Sequence, residues 1–195
     1  MLKPIMTRIR WPATVIGSIA LLMTIQSWYT ESDWRFWVGG FLIAMLLSSY
    51  GLILSHRTAN DVELSHKILV LLFSGGLIAL AEIIRAFVLH VPIFNHYYRE
   101  FSFSMLIYNC IIAPFVEETI YRQIFYHEWL AKINLWMGRL VVGFIFVLIH
   151  FPTNLATWAF YAVAACSLFI TYEGTGNNLK WSIGLHMLNN TLVLI

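Results

Sequence analysis

The feature that most constrains this chain is a series of apolar stretches, each close to the roughly 20 residues that a helix needs to cross a bilayer. Hydrophobic residues make up 59% of the 195 residues and charged residues only 11%, whereas a soluble domain has about 25% charged residues. Because backbone groups inside lipid must bond to one another, such stretches predict helices rather than barrel strands. We therefore expect an all-α, polytopic transmembrane helical bundle of about seven spans. The predicted spans are residues 11–29, 36–55, 68–90, 101–121, 139–152, 155–172 and 179–195.

The distribution of lysine and arginine predicts the orientation of the bundle. Cytoplasmic loops of membrane proteins carry an excess of these residues. If the N-terminus is cytoplasmic, the outer loops hold only Arg35 and Arg99. We therefore predict a multi-pass protein of the cell membrane with a cytoplasmic N-terminus. The inner segments then hold Lys3, Arg8, Arg10, Arg57, Lys67, Arg122, Lys132, Arg139 and Lys180.

Charge and organisation exclude some classes of protein. The formal net charge is +2 and there is no basic tract, so the sequence gives no indication of nucleic-acid binding. No repeat or low-complexity segment divides the chain. We expect a single transmembrane domain over residues 1–195, with the lipid bilayer as its surroundings.

Charged residues within the predicted spans need a reason, because one charge in hydrocarbon costs about 2.5–3.5 kcal/mol on insertion scales. Glu82 and Arg85 lie three residues apart in the third span, so they share a helix face and can neutralise each other. This pair is either a structural ion pair that faces the bundle or a contact to a gate or a substrate.

The stretch VEETIYRQIFY, residues 116–126, places three charges at the predicted cytosolic end of the fourth span. Glu118 and Arg122 are four residues apart, so the arginine can hold that carboxylate ionised. Glu117 lies about 100° further around the helix and is less completely neutralised. A carboxylate in such a site can act as a general base, although a structural salt-bridge cluster would also explain the pattern.

Histidine and asparagine side chains occur in two later spans. His150 ends the run FIFVLIH, with Phe146 one turn earlier on the same face. In HMLNN, His186 and Asn190 are four residues apart and face the same way. Packing and hydrogen bonding between helices would explain each pattern taken alone. Together with the glutamates, however, they predict one polar cluster inside the bundle, several residues below the cytosolic surface.

Such a cluster supports hydrolysis without a metal. Glu117, assisted by His150, can deprotonate a water that attacks a peptide carbonyl. His186 and Asn190 can donate hydrogen bonds to the developing oxyanion, a contribution of about 2.7–4 kcal/mol per donor. Glu118 and Arg122 would support the site.

A zinc site is the alternative, with Glu117, His150 and His186 as ligands and a fourth position for water. However, the chain contains no HExxH sequence, and its one His-Glu pair, His127-Glu128, continues with Trp-Leu-Ala. We favour no cofactor, with zinc as the alternative.

Three motifs in this order resemble a known family. The stretch EETIYR fits EExxxR, FVLIH fits FxxxH, and HMLNN fits HxxxN, each in a separate apolar segment. The chain resembles the CPBP (Abi) group, which comprises the type II CAAX prenyl endopeptidases and bacterial relatives linked to bacteriocin processing and immunity. The resemblance covers residues 102–195, with the three spans in residues 1–101 as accessory spans.

The resemblance implies an intramembrane endopeptidase that acts on a peptide or a lipid-anchored protein. It assigns water activation to Glu117 and His150, and the oxyanion site to His186 and Asn190. Members are often described as metalloproteases, although a metal-free mechanism is also argued. The chain stops five residues after Asn190, without an eighth span. It therefore looks more like a bacterial member, in the plasma membrane, than a processor of prenylated CAAX proteins.

Two other functions compete with the peptidase. The first is a non-catalytic membrane protein that confers bacteriocin self-immunity or regulates a sensor kinase, with another membrane protein as its partner. The second is a small transporter or channel, which only the intramembrane charges suggest, since neither half-helix breaks nor internal repeats are visible.

Overall fold

The computed structural model describes residues 58–93, 106–132 and 134–194, together with isolated positions between 46 and 56. The first predicted span and most of the second lie outside these residues. The chain divides into two compact units, Met1–Leu47 and Ser48–Ile195, and the described residues from 58 onward all lie in the second unit. The expectation of one domain over the whole chain stays a prediction.

The described residues form helices and no strands, which confirms the all-α prediction for this part of the chain. Between the first and second long α-helices lies a continuous helical segment that we call the glutamate helix. It comprises π-helical Tyr108–Ile112, α-helical Ala113–Glu118 and π-helical Thr119–Trp129. The long α-helices are α1 (Leu64–Leu89), α2 (Leu135–Ile149), α3 (Leu155–Gly174) and α4 (Leu179–Leu194), and a short 3₁₀ turn covers Leu130–Lys132.

The glutamate helix is longer than the sequence predicted. The fourth span was expected to end near residue 121, but the helix continues to Trp129. The hydropathy pattern fails here because Arg122 and Gln123 are polar yet fully buried against protein. Glu117 therefore lies in the interior of a helix rather than near its end, and that part of the prediction is wrong, while the cytosolic location of this end stays a prediction.

Two asparagines determine where α2 and α3 begin. The side chain of Asn134 accepts a hydrogen bond from the backbone N–H of Met137, and Asn154 does the same for Thr157. Each bond satisfies a backbone donor that has no partner within its own helix. The α2 helix accordingly begins at Leu135, before the predicted start of the fifth span at residue 139.

The helices pack around α3. This helix contacts α1, α2 and α4, while the glutamate helix contacts α2 and α4. By length and composition, α1 and α3 can each cross a membrane, whereas α2 is apolar but shorter, with 15 residues. The count of seven spans and the cytoplasmic N-terminus remain predictions.

The two ends of this bundle differ in their lysine content. At one end, which we call the loop end, the backbone N–H of Asn60 bonds to the carbonyl of Gly176, and Arg139 forms an ion pair with Glu173. The opposite end contains His150, which follows the last residue of α2. The lysines of the described residues lie at or near the loop end, at positions 67, 132 and 180.

Candidate active site

The centre of the site is a fully buried ion pair. Nη1 of Arg122 lies 3.0 Å from Oε1 of Glu118, and both side chains have 0% exposure. The guanidinium also donates from Nη2 to the carbonyl of Ala165, at 3.4 Å. Its Cζ lies 4.8 Å from the ring centroid of Phe146 and 5.0 Å from that of Phe169. The pairing expected from the four-residue spacing is thus confirmed, and two aromatic rings enclose the cation.

His186 connects the two glutamates. Its Nδ1 lies 3.0 Å from Oε1 of Glu118, and its Nε2 lies 3.9 Å from Oε2 of Glu117. Because a carboxylate oxygen only accepts hydrogen bonds, Nδ1 carries the hydrogen of the first contact. The second separation is too long for a direct hydrogen bond. The sequence placed His186 in the cluster but gave no indication of these partners.

Glu117 has fewer partners than Glu118. Its side chain is 17% exposed. Within the described part of the chain, no group donates a hydrogen bond to its Oε2, although that atom is buried. Glu117 also interacts electrostatically with His150. Oε2 of Glu118 is likewise buried without such a donor among the described residues, so the two adjacent carboxylates differ in charge neutralisation: Oε1 of Glu118 lies 3.0 Å from both Arg122 and His186, whereas Glu117 has His186 at 3.9 Å.

His150 is held by three contacts. Its Nδ1 lies 2.7 Å from the carbonyl oxygen of Phe146, so Nδ1 carries the hydrogen and Nε2 is left as an acceptor in the neutral ring. The Phe146 ring lies on one side at a centroid distance of 4.5 Å, and the Tyr161 ring contacts it at 4.3 Å. The protein thus orients one nitrogen of His150 as a hydrogen-bond acceptor.

Asn190 lies on the same helix as His186 but has a different partner. Its side-chain amide donates to the carbonyl of Asn109 on the glutamate helix, at 2.9 Å. That contact uses one of its two amide hydrogens. The expectation that His186 and Asn190 both donate into one space stays a prediction, because the described contacts commit each of them elsewhere.

Several of the predicted site residues lie close together because each contacts Phe146. Its buried ring contacts the rings of His150 and His186, the latter at 5.9 Å, as well as the guanidinium of Arg122. The FxxxH motif contained this residue, but the sequence gave it no role. Tyr161 and Asn109 were missed, and neither lies in a motif.

The residues proposed as alternative zinc ligands do not form a ligand set. Among the described residues, no three histidine, cysteine or acidic side chains are grouped so that they could hold a metal ion. Both ring nitrogens of His186 face glutamate oxygens, and Nδ1 of His150 is bonded to a carbonyl. The preference for a metal-free site over a zinc site therefore stays a prediction.

Apolar helices around a buried cluster of carboxylates and imidazoles define a helical membrane protein with a candidate hydrolytic site. Residues 99–192 match the family described as type II CAAX prenyl endopeptidase, Rce1-like. This part of the chain is a domain of that protease family, and the resemblance inferred from the three motifs is confirmed. Comparison with curated proteins and with solved structures gives no match.

The family match bears on the competing functions. It supports a membrane-embedded peptidase at the level of the family. It gives no support to bacteriocin immunity, to sensor-kinase regulation or to a metalloprotease. These alternatives stay untested predictions.

Proposed function

We propose that the protein is an intramembrane endopeptidase that cleaves a peptide or membrane-anchored protein with water activated by Glu117. The observation that carries this proposal is the unequal environment of the two glutamates. Glu118 is fully buried 3.0 Å from the guanidinium of Arg122, while Glu117 is partly exposed, has no cation as close among the described residues, and keeps in Oε2 an oxygen that receives no hydrogen bond from them. A general base needs such an accepting oxygen.

The proposed reaction is the hydrolysis of one peptide bond. Glu117 removes a proton from water as the water oxygen attacks the carbonyl carbon, and His150 orients that water through its acceptor nitrogen. The proton held by Glu117 then passes to the leaving nitrogen as the carbon–nitrogen bond breaks. The products are a carboxylic acid and an amine, and the site returns to its starting state.

The tetrahedral intermediate carries a negative oxygen, for which His186 and Asn190 are the proposed donors. The second amide hydrogen of Asn190 remains for this purpose after the bond to Asn109. His186 can donate from Nε2 only as the doubly protonated ring, whose charge the neighbouring carboxylates of Glu117 and Glu118 would offset. Each donor is worth about 2.7–4 kcal/mol of barrier lowering.

The family and the apolar surface support the proposed substrate class and location. We propose a multi-pass protein of a bacterial plasma membrane, acting on a peptide segment that approaches from the bilayer or its surface. The lipid bilayer is then a permanent partner. No described feature favours a partner membrane protein over a substrate.

Cleavage of a defined peptide by the purified full-length protein tests the proposal. The probe is a farnesylated CaaX peptide with a fluorophore and a quencher on either side of the bond after cysteine, alongside the same peptide without the lipid. Glu117→Gln should lower kcat by about 10²–10⁴-fold, the usual contribution of a general base. Glu128→Gln is the matched control, because Glu128 lies on the same helix and pairs with the exposed Lys132.

Three outcomes contradict the proposal in different ways. Equal cleavage by wild type and Glu117→Gln would exclude Glu117 as the base. Loss of activity on dialysis against a chelator, restored by zinc, would exclude the metal-free mechanism. If neither peptide is cleaved and leader-type peptides are not cleaved either, the non-catalytic alternative gains the support that it lacks now.

A further inference from the structure

One charged pair inside the bundle has no part in the proposed mechanism. Arg85 donates from Nε and Nη2 to the two carboxylate oxygens of Glu82, at 2.7 and 2.6 Å. Both residues lie on α1, before the family domain begins at residue 99. The predicted ion pair is thus confirmed. Since charged groups are costly at membrane depth, such a pair raises the question of what it does there.

The Glu82–Arg85 pair lies against the turn of α3 that faces the candidate active site. Helix α1 packs along α3, and Cζ of Arg85 lies 5.8 Å from the ring centroid of Phe160. Glu82 is itself buried, with 7% exposure. Tyr161, next to Phe160, interacts electrostatically with both members of the pair and with Glu117. Tyr161 is therefore close enough to both the ion pair and Glu117 for their charges to act on it.

Tyr161 makes the contact that completes this connection. Its ring lies 4.3 Å from that of His150, with an interplanar angle of 34°. Phe160 packs against Tyr161 at a centroid distance of 5.3 Å, with an interplanar angle of 66°. Phe146 of α2 thus contacts His150 from the preceding turn, and Tyr161 contacts it from α3.

We propose that Tyr161 is a positioning residue for His150, and that the Glu82–Arg85 pair of α1 holds the Tyr161 ring in place through Phe160. The inference rests on the proposed function, in which His150 orients the attacking water. Tyr161 would hold the His150 ring in the orientation that this role requires. On this proposal, helix α1 contributes to the candidate active site, although it lies outside the family match at residues 99–192.

The test compares three substitutions in the full-length protein, with the farnesylated peptide as probe. Tyr161→Leu removes the ring and should lower kcat about tenfold or more, since a small displacement of a positioned group is costly. Its KM should change less than twofold, because Tyr161 is assigned no contact with substrate. Tyr161→Phe keeps the ring and should restore kcat to within about threefold of wild type. Arg85→Gln should lower kcat by an intermediate factor.

The control is another aromatic contact between the same two helices. Trp158 of α3 packs against Phe144 of α2 at a centroid distance of 6.4 Å, away from the glutamates. Trp158→Leu should leave kcat within about twofold of wild type, since this ring lies outside the His150 contacts. If Tyr161→Leu does not accumulate in membranes, Tyr161→Met replaces it, because the flexible methionine fills irregular space.

The outcomes separate this inference from the proposed function. Wild-type kcat in Tyr161→Leu, together with an inactive Glu117→Gln, overturns the positioning role and leaves the peptidase intact. A large fall in kcat for Tyr161→Phe also overturns it, because the hydroxyl rather than the ring would then matter. Wild-type cleavage by Glu117→Gln overturns the proposed function itself. A loss of kcat in Tyr161→Leu that Tyr161→Phe restores supports the inference.

Discussion

His186 donates a hydrogen bond from Nδ1 to Oε1 of Glu118, over 3.0 Å and between helices that are far apart in the chain. The same carboxylate oxygen lies 3.0 Å from Nη1 of Arg122, with which it forms an ion pair. Glu118 is thus fixed from two sides, while its neighbour Glu117 is only approached by His186, at 3.9 Å. Two adjacent glutamates therefore have different surroundings, and we assign them different roles.

The first prediction concerns the stability of the buried pair. Glu118→Gln leaves the Arg122 guanidinium without its ion-pair partner in a fully buried position. Breaking such a pair costs about 3–5 kcal/mol in the free energy of unfolding. The double variant Glu118→Gln/Arg122→Met removes both charges and should recover at least half of that loss. Titration with sodium dodecyl sulfate in mixed micelles measures the free energy.

A control variant tests whether the loss of stability depends on burial of the ion pair. Glu128 pairs with Lys132, whose side chain is 60% exposed, so Glu128→Gln should change the free energy of unfolding by less than about 1 kcal/mol. A double variant less stable than Glu118→Gln alone would show that the ion pair itself does not account for the loss.

The contacts within one helix could be predicted from the sequence. The pairs Glu82–Arg85 and Glu118–Arg122 followed from spacings of three and four residues, because those spacings place side chains on one helix face. The end of the fourth span could not be predicted in this way. Hydropathy assigns a polar side chain to water, whereas Arg122 is fully buried with its charge paired to Glu118.

The contacts between helices needed the structure. The sequence indicated that the motifs meet, but His186 contacts Glu118 rather than acting with Asn190 alone, and Asn190 bonds to Asn109. Tyr161 had no signal, since an aromatic residue in an apolar helix is ordinary packing in most cases. Tertiary packing decides such partners, and no local pattern encodes them.

The second prediction concerns the proposed oxyanion donor. Asn190→Asp keeps the shape of the side chain but removes both amide hydrogens, so the bond to Asn109 and the proposed donor are lost together. Loss of one such donor lowers kcat by about 10²–10³-fold. Cleavage of the quenched peptide measures kcat. The adjacent Asn189 is the control, because its amide donates to Asn190 itself.

The prediction requires kcat to fall less when Asn189 is substituted than when Asn190 is substituted. Asn189→Asp should lower kcat less than tenfold, since its contribution is indirect. If Asn190→Asp and Asn189→Asp lower kcat equally, the assignment of Asn190 as the donor fails.

The third prediction concerns the orientation of the bundle. Lysines lie at or near the loop end, which the positive-inside rule places in the cytoplasm. Lys132 and Thr153 are both exposed, and Thr153 lies at the opposite end, after α2. In a chain without Cys110 and Cys166, Lys132→Cys should react with an impermeant maleimide only after the cells are opened. Thr153→Cys should react in intact cells, and the reverse pattern would contradict the predicted orientation.

The fourth prediction concerns the turn that joins α3 to α4 at the loop end. Gly176 has φ +83°, and a Cβ added there would lie 2.4 Å from the carbonyl oxygen of Asn60. Gly176→Ala must therefore distort a contact that ties the segment before α1 to this turn, at a cost of about 1–3 kcal/mol. Gly76→Ala on α1 is the control, because a Cβ there meets no atom within 4 Å. The expected result is a lower free energy of unfolding for Gly176→Ala alone, with kcat of the folded fraction unchanged because the turn lies away from His150. A kcat loss that exceeds the loss of folded protein would show that the turn also shapes the site.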